Sequence, residues 1–509
     1  MPGTLSESKK ELLERLLRGG NLAPVRRQEI PRRPAGIDIP VSYGQQQLWL
    51  HSQLSTVVPI YNDPITIYRY GSLDRNALER TLTEIVRRHE AWRTTFEWKD
   101  GELIQVVQPP PKHIDLPYLD LSATPPGERE QTALRIAKQD ALLPFDLTTG
   151  PLYRGHLIRV AEAEHRLYLA LHHIIFDGLS LYRIFVSEVR AIYEAFSQNQ
   201  ASPLPELPVQ YGDYALWQRG WVNEVAPSQL AYWRSKLAGA PQRDVFTTDH
   251  PRPAVQTYRG AVFQIAMDAE VSAALKQVNQ KLDVTLFVSL LATFYIVMWA
   301  HSRQDDLTIG TTSAGRHRSE LEDVMGYFLD TLVLRVSLAS NSSFGDLAAQ
   351  CKETLFGALA NDAIPFSMLV KELAEGRDSS RNPFFQVMFS LEPPLAPLGR
   401  AWKFARMDIH NGSTKFDMNL ELDDSPHGID GRLIYNRDLF ERSSIERLVA
   451  DWYSIVAKVV ADPSRPISEI VAHLEPRPED VMKHEVEAPT AAQESTGFFG
   501  SVRRLFSAE

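Results

Sequence analysis

Two periods of hydrophobicity alternate along this chain, one of 3.6 residues and one of 2, as expected of a protein that mixes amphipathic helices with half-buried strands. Leu78, Leu82, Ile85 and Val86 recur at helical spacing within Asn76–His89, and Trp92–Trp98 then reads as a strand. Leu152–Val160 and Arg166–Ile174 are strand-like runs joined by the short polar connector Ala161–His165, the pattern of a hairpin. Leu181, Ile184, Phe185, Val189, Ile192 and Phe196 make one face of a helix. The proline-rich, aperiodic stretch Ala201–Pro208 follows and marks a lobe boundary.

The second half repeats the mixture. Val284–Ala300 is uncharged, and its Thr285, Ser289 and Thr293 fall every four residues on one stripe, which predicts a buried core helix. At the short limit for a bilayer span, it is preceded by Lys281 and Asp283. Leu307–Thr312, Thr331–Leu338 and Phe384–Leu391 read as strands. Phe416, Met418, Leu420 and Leu422 alternate with polar residues, predicting a strand with one wet face, and Ile429–Tyr435 can pair with it. A helix over Glu441–Ala461 closes the lobe.

The ends differ from the body. Ser8 and Glu11 have capping-box spacing, Leu12, Leu13, Leu16 and Leu17 form a stripe, and Gly19-Gly20 stops this helix, which needs either the body or another polypeptide as its partner. The layout expected is a docking helix at residues 1–20, a Pro- and Arg-rich linker at 21–40, an N-terminal lobe at 41–200, a C-terminal lobe at 201–475, and a flexible tail at 476–509. Phe498, Val502, Leu505 and Phe506 line one face of a terminal helix in that tail. No repeat of solenoid or propeller spacing is visible.

Composition narrows the function. A chain of 509 residues exceeds one ordinary core, and a net charge of -10 argues against nucleic acid and an anionic membrane as partners. The single cysteine, Cys351, excludes an internal disulfide and suits a reducing cytoplasm; it reads as a plain helix residue. No secretory signal opens the sequence.

The chemistry concentrates in Leu171-His172-His173-Ile174-Ile175-Phe176-Asp177-Gly178, at the end of a strand and the start of a helix. Neighbouring strand residues point to opposite faces, so His172 and His173 do not share a metal; one is structural and the other faces a cleft, where an imidazole can exchange a proton. Asp177 can fold back as an orienting carboxylate, and Gly178 permits close backbone approach to a ligand. The bland alternative is two core histidines and a helix-capping aspartate; the adjacent pair followed by Asp-Gly favours a functional site. No Gly-x-Ser-x-Gly elbow is present, and Ser180 lies in ordinary helix-start context, which weakens a serine hydrolase.

Other stretches join this one in an ordered series: Ser42–Trp49 (SYGQQQLW), Arg88–Phe96 (RHEAWRTTF), Tyr211–Gln218 (YGDYALWQ), Ile309–Arg316 with Gly326–Leu332, Ile364-Pro365-Phe366, and Arg381–Val387. The series resembles the condensation domains of nonribosomal peptide synthetases, whose signature is His-His-x-x-x-Asp-Gly, and spans Val41–Asp462. Phe176 stands where Ser is common and Asp330 where Asn is common, departures that bear on subtype.

The resemblance implies an α/β fold of two chloramphenicol acetyltransferase-like lobes, arranged as a V-shaped pseudo-dimer around a central tunnel. It makes His173 the active-site histidine and His172 the structural one, pairs Asp177 with Arg316, and leaves Arg93 as a structural partner within the first lobe. Trp49, Trp92 and Trp217 are expected in core packing. The implied reaction joins a carrier-tethered acyl or peptidyl thioester to an acceptor amine, in nonribosomal peptide or hybrid polyketide-peptide synthesis, with the Gly178 N–H as oxyanion donor and no acyl-enzyme. No cofactor is bound covalently and no metal is expected; partner carrier proteins and other synthetase modules supply 4'-phosphopantetheine arms. Alternatives within the resemblance are a catalytically silent carrier-docking platform and an ester-forming or epimerising relative. Heterocyclisation, with Asp-x-x-x-x-Asp at this place, is disfavoured.

Overall fold

The computed structural model describes residues 29–474, apart from residues 55–57, 242, 375–377, 394, 396–397 and 406–407. The leucine-striped N-terminal segment and the C-terminal tail lie outside the described residues. The first half runs β1 (Ile39–Pro40), α1 (Tyr43–Leu54), β2 (Asn62–Tyr70), α2 (Arg75–Arg88), β3 (Thr94–Lys99), β4 (Glu102–Val107), β5 (Tyr118–Asp120), α3 (Pro126–Leu142), β6 (Tyr153–Ala161), β7 (Glu164–His172) and α4 (Val186–Phe196). The long helix α5 (Tyr211–Leu237) leads into β8 (Gly260–Asp268), α6 (Ala269–Leu282), α7 (Leu286–Ser302), β9 (Asp306–Ser313), β10 (Asp330–Ser337), α8 (Phe344–Leu359) and α9 (Phe366–Leu373). The chain then forms β11 (Val387–Leu391), β12 (Trp402–Ala405), β13 (Met418–Ser425), β14 (Gly428–Asn436) and α10 (Arg442–Ala461).

Two mixed sheets carry two cores. One is five-stranded in the order β12-β2-β7-β6-β5, the other six-stranded in the order β10-β9-β11-β13-β14-β8, and a small sheet β1-β4-β3 flanks the first. The predicted hairpins form: β6 pairs antiparallel with β7 through Leu157↔Leu167, and β13 with β14 through Leu420↔Leu433. Apolar side chains of β13 enter the core while Glu421 on its other face pairs with Arg432 at 2.6 Å, only partly exposed, so the face expected to be wet is half covered.

Helix α7 lies in the larger core, buried on nearly every side. Each Leu, Ile or Phe buried there contributes about 1.5–3 kcal/mol. Its polar stripe is satisfied internally: Thr285 caps the Val288 N–H, and Thr293 donates to the Leu290 carbonyl and accepts from Trp452 Nε1. Among the described residues no single helix is long and apolar enough to cross a membrane.

Three features depart from the sequence reading. Residues 29–40, expected as linker, are fastened to the body. Ile30 is buried, Arg32 donates to the carbonyls of Leu207 and Pro208, and Arg33 bridges Glu90 (2.6 Å) and Asp213 (2.8 Å). Composition suggested exposure, but the guanidinium forks find carbonyls and carboxylates supplied by distant chain. Secondly, the cores do not divide at one chain position. Leu321, Val324, Met325 and Phe328 pack into the first core, and β12 adds itself to β2 through Phe404↔Ile67. Thirdly, Trp92 is buried as expected, but Trp49 and Trp217 are only partly buried, stacking on Trp98 and Trp221 respectively.

Candidate active site

Strand β7 ends at His172, opposite Asn62 of β2, and the chain tightens into a 3-10 turn at His173–Ile175. That change of geometry separates the two imidazoles. His172 is buried; its Nδ1 accepts the Ile174 N–H, so Nε2 carries the proton and donates 3.2 Å to Ser52 Oγ, which donates in turn to the Leu48 carbonyl. Burial, reinforced by His173 and Lys415, lowers its pKa to about 3, so the ring stays neutral near pH 7.

The His173 ring is 14% exposed. Its backbone N–H is fixed by the Tyr61 carbonyl, and its Nδ1 lies 2.9 Å from the Phe176 carbonyl. A carbonyl only accepts, so Nδ1 carries the hydrogen and Nε2 of the neutral ring is a lone pair. The ring stacks on Phe176 (4.9 Å, 17°) and makes a T-shaped contact with Tyr327 (5.2 Å, 85°). Phe176, at the position where Ser is common, thus supplies a stacking surface.

Asp177 is wholly buried and saturated. Oδ1 accepts from the Ser180 N–H and Oγ, both at 2.8 Å; Oδ2 accepts from Arg316 Nη1 at 2.5 Å and from the Phe328 N–H at 3.1 Å. The first contact caps the helix that begins at Gly178, so one carboxylate both caps a helix and pairs with Arg316. Arg316 also donates to Ser180 Oγ and the Val324 carbonyl and lies over the Phe328 ring. Ser180, read as an ordinary helix-start residue, is instead a buried junction touching Asp177, Arg316 and Gly326. A π-helical turn at Ser180–Phe185 precedes α4, an irregularity that tends to accompany functional sites.

Gly178 faces crowding: a Cβ there would sit 3.3 Å from the Tyr182 ring and 3.7 Å from Glu392 Oε2. As the first residue of a helix its N–H has no intrahelical partner. Arg93 lies 3.7 Å from Glu90 and donates to the Gln108 carbonyl, both within the first lobe and outside this turn.

The scattered sequence motifs meet at this point. Ser42 Oγ and Tyr211 Oη are 2.8 Å apart, Gln45 reaches the Ile174 carbonyl, and the Met325 N–H donates to His89 Nδ1, whose Nε2 is held by Glu188. Gly44 is required because a Cβ would lie 2.8 Å from the Tyr327 ring, and Gly326 because a Cβ would lie 1.9 Å from Tyr211. Close approach places Tyr327 against His173.

The sequence reading missed Asp63, whose Oδ2 is 3.5 Å from His173 Nε2, and Lys415, whose ammonium lies 4.6 Å from the Tyr61 ring centroid. Burial lowers the Lys415 pKa, against the pull of Asp63 and Glu421. An aspartate at the head of a strand was the available signal for Asp63; its proximity to His173 depends on the β2–β7 register. Among the described residues no cluster of His, Cys, Asp and Glu has the form of a metal site.

The turn is thus held by donors from distant parts of the chain, Arg316 and the Phe328 N–H among them. The family profile of the condensation domain matches residues 37–479, and the chain belongs to that family, found in nonribosomal peptide synthetases. It is 41% identical over 440 residues to one of the subunits of the linear gramicidin synthase of Brevibacillus parabrevis, covering 85% of this chain and 8% of that protein. It is 36% identical over 498 residues to phosphinothricin tripeptide synthetase PhsC of Streptomyces viridochromogenes, covering 96% of this chain and 45% of that protein. The chain therefore spans less than half the length of these relatives. Its fold matches the X-domain from teicoplanin biosynthesis (TM-score 0.76, 24% identity, covering 87% of this chain and 99% of that one). It also matches the first condensation domain of the calcium-dependent antibiotic synthetase (TM-score 0.73, 20% identity, covering 85% and 99%).

Proposed function

We propose that this chain joins a carrier-tethered acyl or peptidyl thioester to the amine of a second carrier-tethered substrate, forming an amide. The observation that carries the reading is the His173 tautomer: Nδ1 is committed to the Phe176 carbonyl, which leaves Nε2 as a lone pair beside accessible space. The thioester is already activated, so the protein needs to position the reactants, accept a proton and stabilise charge. The acceptor nitrogen attacks the thioester carbonyl carbon, His173 Nε2 takes the amine proton or holds it in the tetrahedral intermediate, and the thiolate departs. The oxyanion is met by the Gly178 N–H at a helix start, where the aligned peptide dipoles add to the field. Asp177 and Arg316 touch neither reactant in this scheme; they fix the turn. His172 holds the ring next to it in register, and Arg93 supports the first lobe.

The phosphopantetheine arms belong to the substrates and are delivered by donor and acceptor carrier proteins of neighbouring synthetase modules. The N-terminal leucine stripe and C-terminal apolar segment are proposed docking helices for such modules. Deletion of both segments is expected to slow turnover with carrier-bound donors, and unchanged turnover removes that assignment. One buried cysteine and the acidic balance suit the cytoplasm.

The test is product formation from an acyl carrier-protein donor and a panel of amine acceptors, read by intact mass spectrometry, for the native protein and His173→Ala. Amide that vanishes with the substitution supports condensation at His173. Carrier binding without turnover across the panel indicates a docking platform.

A further inference from the structure

At the open side of the turn two acceptors face each other. In the neutral form, with its hydrogen on Nδ1, His173 presents the Nε2 lone pair, and Asp63 Oδ2 lies 3.5 Å from it. Among the described residues no side chain donates a hydrogen bond to the Asp63 carboxylate, whose side chain is 38% exposed. Two such groups are satisfied together by an entering species that brings two hydrogens on one atom.

The backbone that carries this carboxylate is well held. Asp63 pairs with Leu171 across β2 and β7, Pro64 follows it, and the preceding Asn62 side chain donates to the carbonyls of Ala141 and Leu143. Asn411 donates to the Asn62 carbonyl and so ties the second half of the chain to the same point. The cation facing Asp63 from that side is Lys415, with the Glu421–Arg432 ion pair beyond it. Lys415 lies over Tyr61, and the Asp63 oxygen toward His173 is left to a ligand.

We propose that Asp63 is a second catalytic residue, which receives one N–H of the acceptor amine while His173 Nε2 receives the other, and so selects primary amines over acceptors with a single hydrogen. This inference rests on the condensation reading above and deepens it to the class of acceptor. As the nitrogen attacks, the C–N bond forms, the carbonyl π pair moves to oxygen, and the nitrogen becomes positive between a carboxylate and an imidazole. His173 Nε2 then takes one proton, the C–S bond breaks with its pair going to sulfur, and the imidazolium returns the proton to the thiolate or to solvent. The remaining amide N–H still faces Asp63. A secondary amine or a hydroxyl brings one hydrogen and leaves one of the two acceptors without a donor, a loss that hydrogen-bond selectivity translates into rate.

The experiment uses the full chain with one carrier-bound acyl donor and two acceptors in competition, an aminoacyl thioester and its N-methyl counterpart, for the native protein and Asp63→Asn. The native protein is expected to favour the primary amine, and Asp63→Asn to lower primary-amine turnover about 10-fold or more while changing the N-methyl product little, so that the product ratio collapses. The ratio does not depend on how much variant protein is folded, and Asp63→Glu is expected to recover part of it. A native protein that turns over through His173 but whose product ratio is unchanged in Asp63→Asn overturns the role of Asp63 alone. A native protein that condenses neither acceptor overturns the condensation reading and this inference with it.

Discussion

On one side of the turn at residues 172–178, Asp177 accepts from the Ser180 N–H and Oγ, from Arg316 and from the Phe328 N–H, and is closed to solvent. On the other, His173 and Asp63 are both partly exposed, and Nε2 and Oδ2 lie 3.5 Å apart. The difference separates two tasks within a few residues. Buried charge is tolerated only when paired and hydrogen-bonded, so the saturated side fixes the backbone in one shape. That fixed shape lets the other side keep an unpaired lone pair in a defined direction, which a flexible turn would lose to water or to a neighbour.

The largest expected effect breaks the open side. His173→Ala removes the only imidazole nitrogen offered to substrate in this scheme, and is expected to lower turnover by at least about 100-fold. The thermal unfolding midpoint should move little, because the ring is packed on one face by Phe176 but donates only one hydrogen bond. Turnover within a few-fold of native would transfer the chemistry to another group.

Breaking the anchored side should do the reverse. Arg316→Met leaves Asp177 buried without its cation and Ser180 Oγ with the Gly326 N–H as its remaining donor, a change on the order of 3–5 kcal/mol read by denaturant unfolding. Activity is expected to fall with the loss of folded protein and of turn shape. A variant as stable as the native protein would show that the Ser180 and Phe328 donors alone hold Asp177.

These two sides were not equally legible in the sequence. The strand-to-helix change at Leu171–Gly178 located the turn, and alternation predicted that His172 and His173 diverge, although the strand ends at His172 and the 3-10 turn beginning at His173 is what parts them. The Asp177–Arg316 pair, 139 residues apart in sequence, was visible only through family resemblance, since no local pattern encodes such a contact. Asp63 stayed hidden because its nearness to His173 is set by the register of β2 on β7, and a one-residue slip would turn it to the other face. The misread linker has a related cause: the polarity of Arg32 and Arg33 says that they want partners, and the fold supplies those partners from residues 90 and 207–213.

A smaller perturbation couples the two sides through packing. Gly44→Ala puts a Cβ 2.8 Å from the Tyr327 ring, which also makes a T-shaped contact with His173. Overpacking of this kind costs about 1–3 kcal/mol, and a displaced Tyr327 moves the imidazole, so turnover is expected to fall roughly 10-fold. Tyr327→Leu in the same chain should recover stability by making room. Steady-state kinetics and thermal unfolding of the single and double variants separate the steric effect from loss of the tyrosine itself.

The smallest expected effect tests whether the anchored side needs its charges arranged as they are. Asp330 begins β10, two residues after Phe328, and its Oδ1 accepts the N–H groups of Thr331 and Phe366. Burial raises its pKa from 3.8 to about 7; those two N–H groups oppose the rise and Asp362 adds to it. The folded state therefore holds a proton that the unfolded state has lost between about pH 4 and pH 7. Stability from this group is greatest below that window, falls as pH rises through it, and stays low above. Asn keeps the accepting oxygen and is never charged. Asp330→Asn is thus expected to match the native unfolding midpoint near pH 4 and to exceed it progressively up to pH 7, by on the order of 2 kcal/mol once partial exposure is allowed for. A native-minus-variant difference that does not change with pH would mean that the carboxylate is ionised at no cost, and that the anchored side holds a second buried charge as readily as it holds Asp177.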